Sequence, residues 1–174
     1  MTNKPVDELR VVITNKILPV DDLRVEIDRL KGQGKKIVFT NGCFDIIHAG
    51  HVRCLREARS KGDILIVGVN SDRSVSSIKK GRPIIDQGQR TEVLAAFEMV
   101  DYVTIFDGIT PIEIIKKLLP DIIVKGGDWK AEDIVGSDII PQVYSLPYYD
   151  GLSTTNIIDI IINRYLSNLE KKGS

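Results

Sequence analysis

Lys36-Ile37-Val38-Phe39-Thr40-Asn41-Gly42-Cys43-Phe44-Asp45-Ile46-Ile47-His48-Ala49-Gly50-His51 is the stretch on which the reading of this chain turns. Residues 36–40 form an apolar β-type run, and a helix is expected over Gly50–Ser60, closed by Lys61-Gly62. The only two histidines of the chain stand at the turn between them, three residues apart. A helix N-terminus carries unpaired N–H groups and a partial positive charge, which suits an anion. Ala49 and Gly50 have no bulk to block a ligand, and residues three apart lie near the same side of a helix. A grip on a polyphosphate is the first reading. A metal site and a pair of structural histidines stay open beside it. Zinc wants three or four ligands, and although Cys43 and Asp45 are near, their spacing matches no known finger.

Outward from this stretch the pattern alternates. Asp21–Leu30 reads as a short helix with Leu23, Ile27 and Leu30 at helical spacing, ended by Gly32-Gln33-Gly34. Asp63–Val69 is a nearly continuous apolar strand, as expected where both faces of a sheet are covered. A helix is expected over Asp86–Val100, with Val93, Leu94, Phe97 and Val100 at helical spacing. Tyr102–Phe106 reads as a strand, and Thr110–Leu119 as a helix with Pro111 in its first turn. Ile122–Lys125 and Gln142–Leu146 read as strands and Ser153–Leu169 as the last helix. Strands alternating with helices imply an α/β fold, a Rossmann-like doubly wound parallel sheet. Its ligands bind beyond the carboxyl ends of strands near the topological switch point. The expected organisation is an N-terminal arm and short helix over residues 1–34, one domain over 35–170, and a solvated tail at 171–174.

Composition narrows the partners. The chain has 174 residues, 43% hydrophobic and 28% charged, with Lys+Arg and Asp+Glu both at 24. That length suffices for one domain with a proper core. With no net field to recruit nucleic acid or an anionic membrane, neither is an expected partner, and any anion site must be local. No apolar run approaches the ~20 residues of a membrane span. The N-terminus lacks the basic start and apolar stretch of a signal peptide. Cys43 and Cys54, the only cysteines, make no disulfide framework, so a cytoplasmic location is expected. Cys54 reads as a small apolar residue on a buried helix face. Cys43 lies in the loop before the histidines, where its backbone N–H matters more than its thiol.

Several chemistries do not fit. Gly42 and Gly50 lie eight apart with no G-x-G-x-x-G between them, so a nicotinamide fingerprint is missing. No Gly-Lys-Ser/Thr ends a P-loop. Both histidines share one turn and no G-x-S-x-G elbow exists, which leaves a serine or cysteine hydrolase weakly supported. Other segments fit anion or ligand contact. Ser153, Thr154 and Thr155 offer hydroxyls and N–H groups at a second helix start, although Ser153 also reads as a plain N-cap. In Lys125-Gly126-Gly127-Asp128-Trp129 the glycines let backbone approach a ligand. Asp128 would hold a ribose or sugar hydroxyl, and Trp129 is either a pocket wall or a core edge. Arg90 either reaches a phosphate or pairs with Glu92. Asp45 either orients a histidine or orders its loop by local side-chain-to-backbone bonds.

The segment Asn41–His51 resembles the H-x-G-H signature of the nucleotidyltransferase α/β-phosphodiesterase superfamily, with the G-x-F-D lead-in of its cytidylyltransferase branch. Ser153-Thr154-Thr155 is similar to that superfamily's second nucleotide motif. Asn70–Val75, Gly81-Arg82-Pro83, Val124–Trp129 and Asp150–Ile158, in this order, resemble the D-glycero-D-manno-heptose 1-phosphate adenylyltransferases over about residues 17–165. Two departures stand out. Ile158 sits where many members carry a basic residue. Tyr148-Tyr149-Asp150-Gly151 replaces the Arg-Thr-x-Gly lead-in of polyol-phosphate cytidylyltransferases.

The resemblance implies an adenylyltransferase that joins ATP to heptose 1-phosphate for a surface glycan precursor, with cytidylyl or guanylyl transfer, or a catalytically silent nucleotide-binding module, as alternatives. It implies His48, His51 and the loop lysine Lys79 as catalytic. Asn41, Gly42, Cys43, Phe44, Gly50, Asn70, Asp72, Arg90, Lys125, Gly126, Ser153, Thr154 and Thr155 would contact nucleotide. Asp45, Asp128 and Trp129 would contact the second substrate. No protein metal site is implied, because Mg²⁺ arrives with the ATP phosphates. A homodimer is expected, using the N-terminal arm and the apolar helices. With 174 residues, a separate kinase is expected to supply the sugar phosphate.

Overall fold

The computed structural model describes the backbone of residues 13–147, 151 and 153–172, and side chains as far as 166. The N-terminal arm before residue 13, the lead-in residues Tyr148, Tyr149, Asp150 and Leu152, and the last two residues of the tail lie outside the described residues.

Five strands form one parallel sheet: β1 (Ile37–Gly42), β2 (Ile64–Asn70), β3 (Tyr102–Phe106), β4 (Ile122–Gly126) and β5 (Gln142–Leu146). Their spatial order is β3-β2-β1-β4-β5. The helices are α1 (Val20–Gly32), α2 (Ala49–Arg59), α3 (Asp72–Ile78), α4 (Gln87–Ala95), α5 (Ile112–Leu118) and α6 (Thr154–Lys172), with a single 3₁₀ turn at Ala131–Asp133. Alternation along the strands divides the core between two faces. Val38, Leu65, Val67, Val103, Ile122 and Val124 meet Leu55 and Ala58 of α2 and Leu94 and Ala95 of α4. Ile37, Phe39, Ile66 and Ile123 meet Leu23, Ile27 and Leu30 of α1 and Ile114, Ile115 and Leu118 of α5. Both faces of β1 to β4 are covered, which is why these strands read as largely apolar runs, whereas the edge strand β5 is half exposed. The doubly wound sheet is thus the observed fold.

Several boundaries differ from expectation for physical reasons. Helix α1 buries Leu23 and Ile27 fully and belongs to the core rather than to a separate arm. Residues 16–18 lie along β3: the Leu18 N–H donates to the Val103 carbonyl, and the Val103 N–H to that of Lys16. Helix α3 was not expected; it is seven residues long and starts on the Ser71 side chain, which accepts from the Ser74 N–H. Helix α4 ends at Ala95 rather than Val100. Phe97 and Val100 continue through single turns, bonding to the Leu94 and Phe97 carbonyls, and Val93 is 46% exposed. Helix α6 runs on through Lys172, so residues 171 and 172 are helical and not part of a tail.

The chain runs β1 to β2 to β3 in one direction, then crosses back to β4 and β5 on the other side of β1. The carboxyl ends of β1 and β4 therefore flank the topological switch point, where the strands part and a crevice opens.

Candidate active site

A cavity of about 540 Å³ occupies that crevice. The ends of β1 and β4 supply Asn41, Gly42 and Lys125, Gly126; helix α2 supplies His51 and Cys54; the start of α6 supplies Thr154 and Thr155. The flank beyond β2 adds Asn70, Lys79 and Arg82, and the opposite flank adds Trp129 and Val135.

The histidines form a reciprocal cap on α2. His48 is the N-cap, and its Nδ1 accepts the Gly50 N–H at 3.1 Å. The Nδ1 of His51 accepts the His48 N–H at 3.3 Å. A ring nitrogen that accepts carries no proton, so each neutral imidazole bears its proton on Nε2, the atom left to face a ligand. The rings lie 4.0 Å apart between centroids, and Phe44 backs His51 at 5.3 Å. Phe44 holds a left-handed backbone, φ 50°, to turn its ring inward there. Burial pulls the His51 pKa down to about 4, helped by the nearby His48 and Lys79 charges. Burial also lowers that of His48. Both rings are therefore neutral N–H donors at pH 7. The geometry separates them: His51 is in the cavity wall and His48 lies outside it. Gly50, expected to offer its N–H to a phosphate, has already given it to His48.

This arrangement has a pH consequence. The ordinary histidine value is 6.5 and that of folded His51 is about 4, so between the two the unfolded chain binds the extra proton. Folding stability should fall as pH drops from 6.5 towards 4 and level off below. Urea titrations across that range are expected to show the fall, and His51→Gln should lessen it. An unchanged slope in the variant would refute the neutral-imidazole assignment.

Arg90 does not face the cavity. It is 1% exposed, and its guanidinium joins four acceptors. These are the Ile85 carbonyl at 2.9 Å, the Cys43 carbonyl, the Asn70 carbonyl at 2.8 Å and Asp72 Oδ1 at 2.8 Å. It pairs neither with a phosphate nor with Glu92: it fastens the ends of β1 and β2 together. Asp72, its ion-pair partner, likewise lies outside the cavity wall. Asp45 orders its surroundings by long-range rather than local bonds. Its carboxylate accepts from Arg82 at 2.5 Å and from the Ile84 and Ile85 N–H groups at 2.7 and 2.9 Å. Burial pushes its pKa up, but the donors of Ile85, Arg82 and Ile84 outweigh burial, and the net value falls below the ordinary one.

Lys125 is half-buried, and desolvation lowers its pKa. It spans the crevice to the Asn41 carbonyl at 3.3 Å and the Asn41 Oδ1 at 3.5 Å. Its loop turns on two successive positive φ values, Gly127 at 112° and Asp128 at 49°. The Trp129 indole N–H closes that turn on the Gly126 carbonyl at 3.2 Å. Trp129 is 49% exposed, a cavity wall and not a core edge, whereas Asp128 is not in the wall. The Ser153 hydroxyl accepts the Asn156 N–H at 3.0 Å as the α6 cap. Thr154 reaches the Ile46 carbonyl at 3.5 Å, tying α6 to the histidine loop. Asn70 is buried and bonds to Ser74 Oγ at 2.9 Å.

Cys54 and Arg82 are among the wall residues that had no ligand role in the sequence reading. Cys54 packs against Gly126, where an added Cβ would lie 3.1 Å from its sulfur. Arg82 sits in the loop before α4; a loop arginine between glycine and proline, with no helical partner, is the only signal the sequence held. Among the described residues no group of three or more His, Cys, Asp or Glu is placed to hold a metal ion. No described helix is long and apolar enough to cross a membrane.

The chain has relatives among known proteins. The chain is 48% identical over 155 residues to the bifunctional protein HldE of Geobacter metallireducens, covering 86% of this chain and 32% of the relative. It is 54% identical over 131 residues to that of Nitratiruptor sp., covering 75% and 28%. The chain thus spans about a third of the length of the curated relatives it matches. A lipopolysaccharide core biosynthesis protein from Thermoplasma volcanium superposes with TM-score 0.58 at 28% identity, covering 67% of this chain and all of that one. Pantothenate synthetase from Thermus thermophilus, at 15% identity and TM-score 0.58 over 82% of this chain and 67% of that one, shares the fold. The cytidylyltransferase-like family model matches residues 39–160. With the imidazole-capped helix at the switch point, this match makes the chain a member of the cytidylyltransferase-like family of nucleotidyltransferases.

Proposed function

We propose that the chain transfers the adenylyl group of ATP to D-glycero-β-D-manno-heptose 1-phosphate, giving ADP-heptose and pyrophosphate for a surface glycan. The observation that carries the transfer chemistry is the pair of neutral imidazoles at the start of α2, with the Nε2–H of His51 left for a ligand in the cavity wall and that of His48 just outside it. A sugar 1-phosphate is already an ionised nucleophile, so no general base is needed. Its oxygen attacks the α-phosphorus, the bond from that phosphorus to the bridging oxygen breaks, and pyrophosphate leaves with the electron pair. What the protein must supply is alignment and charge stabilisation. In this reading His51 and His48 donate to the triphosphate and the departing pyrophosphate, with Thr154 and Thr155 beside them, while Lys79 meets the phosphates from the β2 flank.

Mg²⁺ would accompany the triphosphate and be held chiefly by its oxygens. Of the two cavity carboxylates, Asp45 and Asp133, Asp45 already accepts three donors. The sugar assignment is supported by the identity to the HldE relatives and by the likeness to the lipopolysaccharide core biosynthesis protein of Thermoplasma volcanium. A separate kinase would supply the heptose 1-phosphate, and the reaction would belong in the cytoplasm. A homodimer fits the exposed Ile161, Tyr165 and Leu166 of α6. Residues 16–18 of the arm are engaged with β3 instead.

Cytidylyl transfer is the second reading, favoured by the family match itself. Pyrophosphate release measured with ATP, CTP and GTP in the presence of heptose 1-phosphate separates the two. ATP is expected to support turnover at least tenfold above the others, and absence of ADP-heptose among the products would overturn the proposal.

A further inference from the structure

We propose that Arg82 binds the phosphate of the acceptor substrate, and that buried Asp45 is the positioning residue that holds it in place. This rests on the nucleotidyl-transfer reading above and names the residue that recognises its second substrate.

The side chain of Arg82 is 15% exposed and that of Asp45 5%, and they meet at 2.5 Å. Arg82 lines the cavity. Asp45 also receives the Ile84 and Ile85 N–H groups, so its carboxylate is fixed from three directions. Among the described residues the guanidinium makes no hydrogen bond beyond the one from Nη1 to Asp45. A guanidinium has five N–H donors in a planar fork. Here one edge is anchored and the other donors remain available to a ligand in the cavity. That is the geometry for bidentate capture of a phosphate.

Placement assigns the phosphate. The triphosphate has the donors around β1: the imidazoles of α2 and the first turn of α6. That turn brings hydroxyls but no cation, since Asn156, Ile157, Ile158 and Asp159 follow Thr155. Arg82 lies on the β2 flank with Asn70 and Lys79. An in-line displacement needs the attacking phosphate on the side of the α-phosphorus away from pyrophosphate. It also brings a dianion up to a polyanion, and a fixed guanidinium on the approach side offsets that repulsion. By contrast, Arg90, only eight residues on, is fully consumed within the protein.

The test is calorimetric binding to the intact chain of heptose 1-phosphate in the presence of α,β-methylene-ATP, and of that analogue alone. Arg82→Met should weaken the sugar phosphate roughly 30-fold, and Arg82→Lys about fivefold, because charge remains without the fork. The analogue's own affinity should stay within about twofold. Asp45→Asn should raise KM for the sugar phosphate more than it lowers kcat. Equal loss of nucleotide and acceptor binding in Arg82→Met would assign Arg82 to the triphosphate and overturn the inference, as would no loss of either. Thermal melts of the lysine variant check that the fold is kept. Glucose 1-phosphate, glycerol 3-phosphate and inorganic phosphate are titrated in parallel. Arg82-dependent binding of one of these, without binding of heptose 1-phosphate, supports the inference and refutes the heptose reading. A wild-type protein that binds the analogue and none of the phosphates overturns the inference itself.

Discussion

Arg90→Met is expected to cost about 3–5 kcal/mol of folding stability, read from urea midpoints at pH 7. The guanidinium is buried, and its four acceptors come from three places far apart in sequence: the loop after β1, the end of β2 with the start of α3, and the loop before α4. Methionine would match much of its volume but leave three carbonyls without this donor, each losing a bond and exposed to little water. Lysine should recover only part, because a single ammonium cannot meet acceptors spread around a planar fork. Turnover should fall with stability, since the Cys43 carbonyl belongs to the loop that carries the histidines. A loss below about 1 kcal/mol would mean that Arg90 is not the clasp described.

His51→Ala should lower kcat for nucleotidyl transfer roughly 10²–10³-fold, the usual cost of removing one preorganised donor to developing charge. The side-by-side variants Asn and Gln separate its two nitrogens. An Asn side chain can place its oxygen near the Nδ1 position and keep accepting the His48 N–H, but it lacks a donor at Nε2. Gln reaches the Nε2 position with an N–H. If the donor carries the effect, Gln retains more activity than Asn; the reverse order would mean that capping the helix is what matters. His48→Ala removes a cap as well as a donor, so it should also cost about 1 kcal/mol of stability.

Strands β1 to β4 were legible because a sheet covered on both faces forces apolar runs; β5 is a half-exposed edge strand, and it and β3 keep the bounds that their residues suggest. Helix α3 was not, because seven residues with serine at positions 74, 76 and 77 give too few turns for a periodic signal. The overlong reading of α4 came from Phe97 and Val100, which are partly or fully buried from turns and so mimic helical spacing. In the site, the histidine pair was legible as a local pattern. The duty of Arg90 was not: near the front of a helix beside Glu92 it reads as a surface charge, and only the closure of β1 against β2 surrounds it with carbonyls. Arg82 and Asp45 are 37 residues apart, and no local rule joins them.

The segment before α1 has a consequence for solubility. An outermost strand offers a row of unpaired amides and carbonyls on which another chain can build. Residues 16–18 pair with part of that row, the Val103 N–H and carbonyl of β3, and the Lys16 ammonium is tied to the Phe97 and Val100 carbonyls at 3.2 and 2.8 Å. These few residues act as a selvedge to the sheet. Shortening the protein to begin at α1 would remove no described wall residue of the crevice and would open a template for self-association along β3.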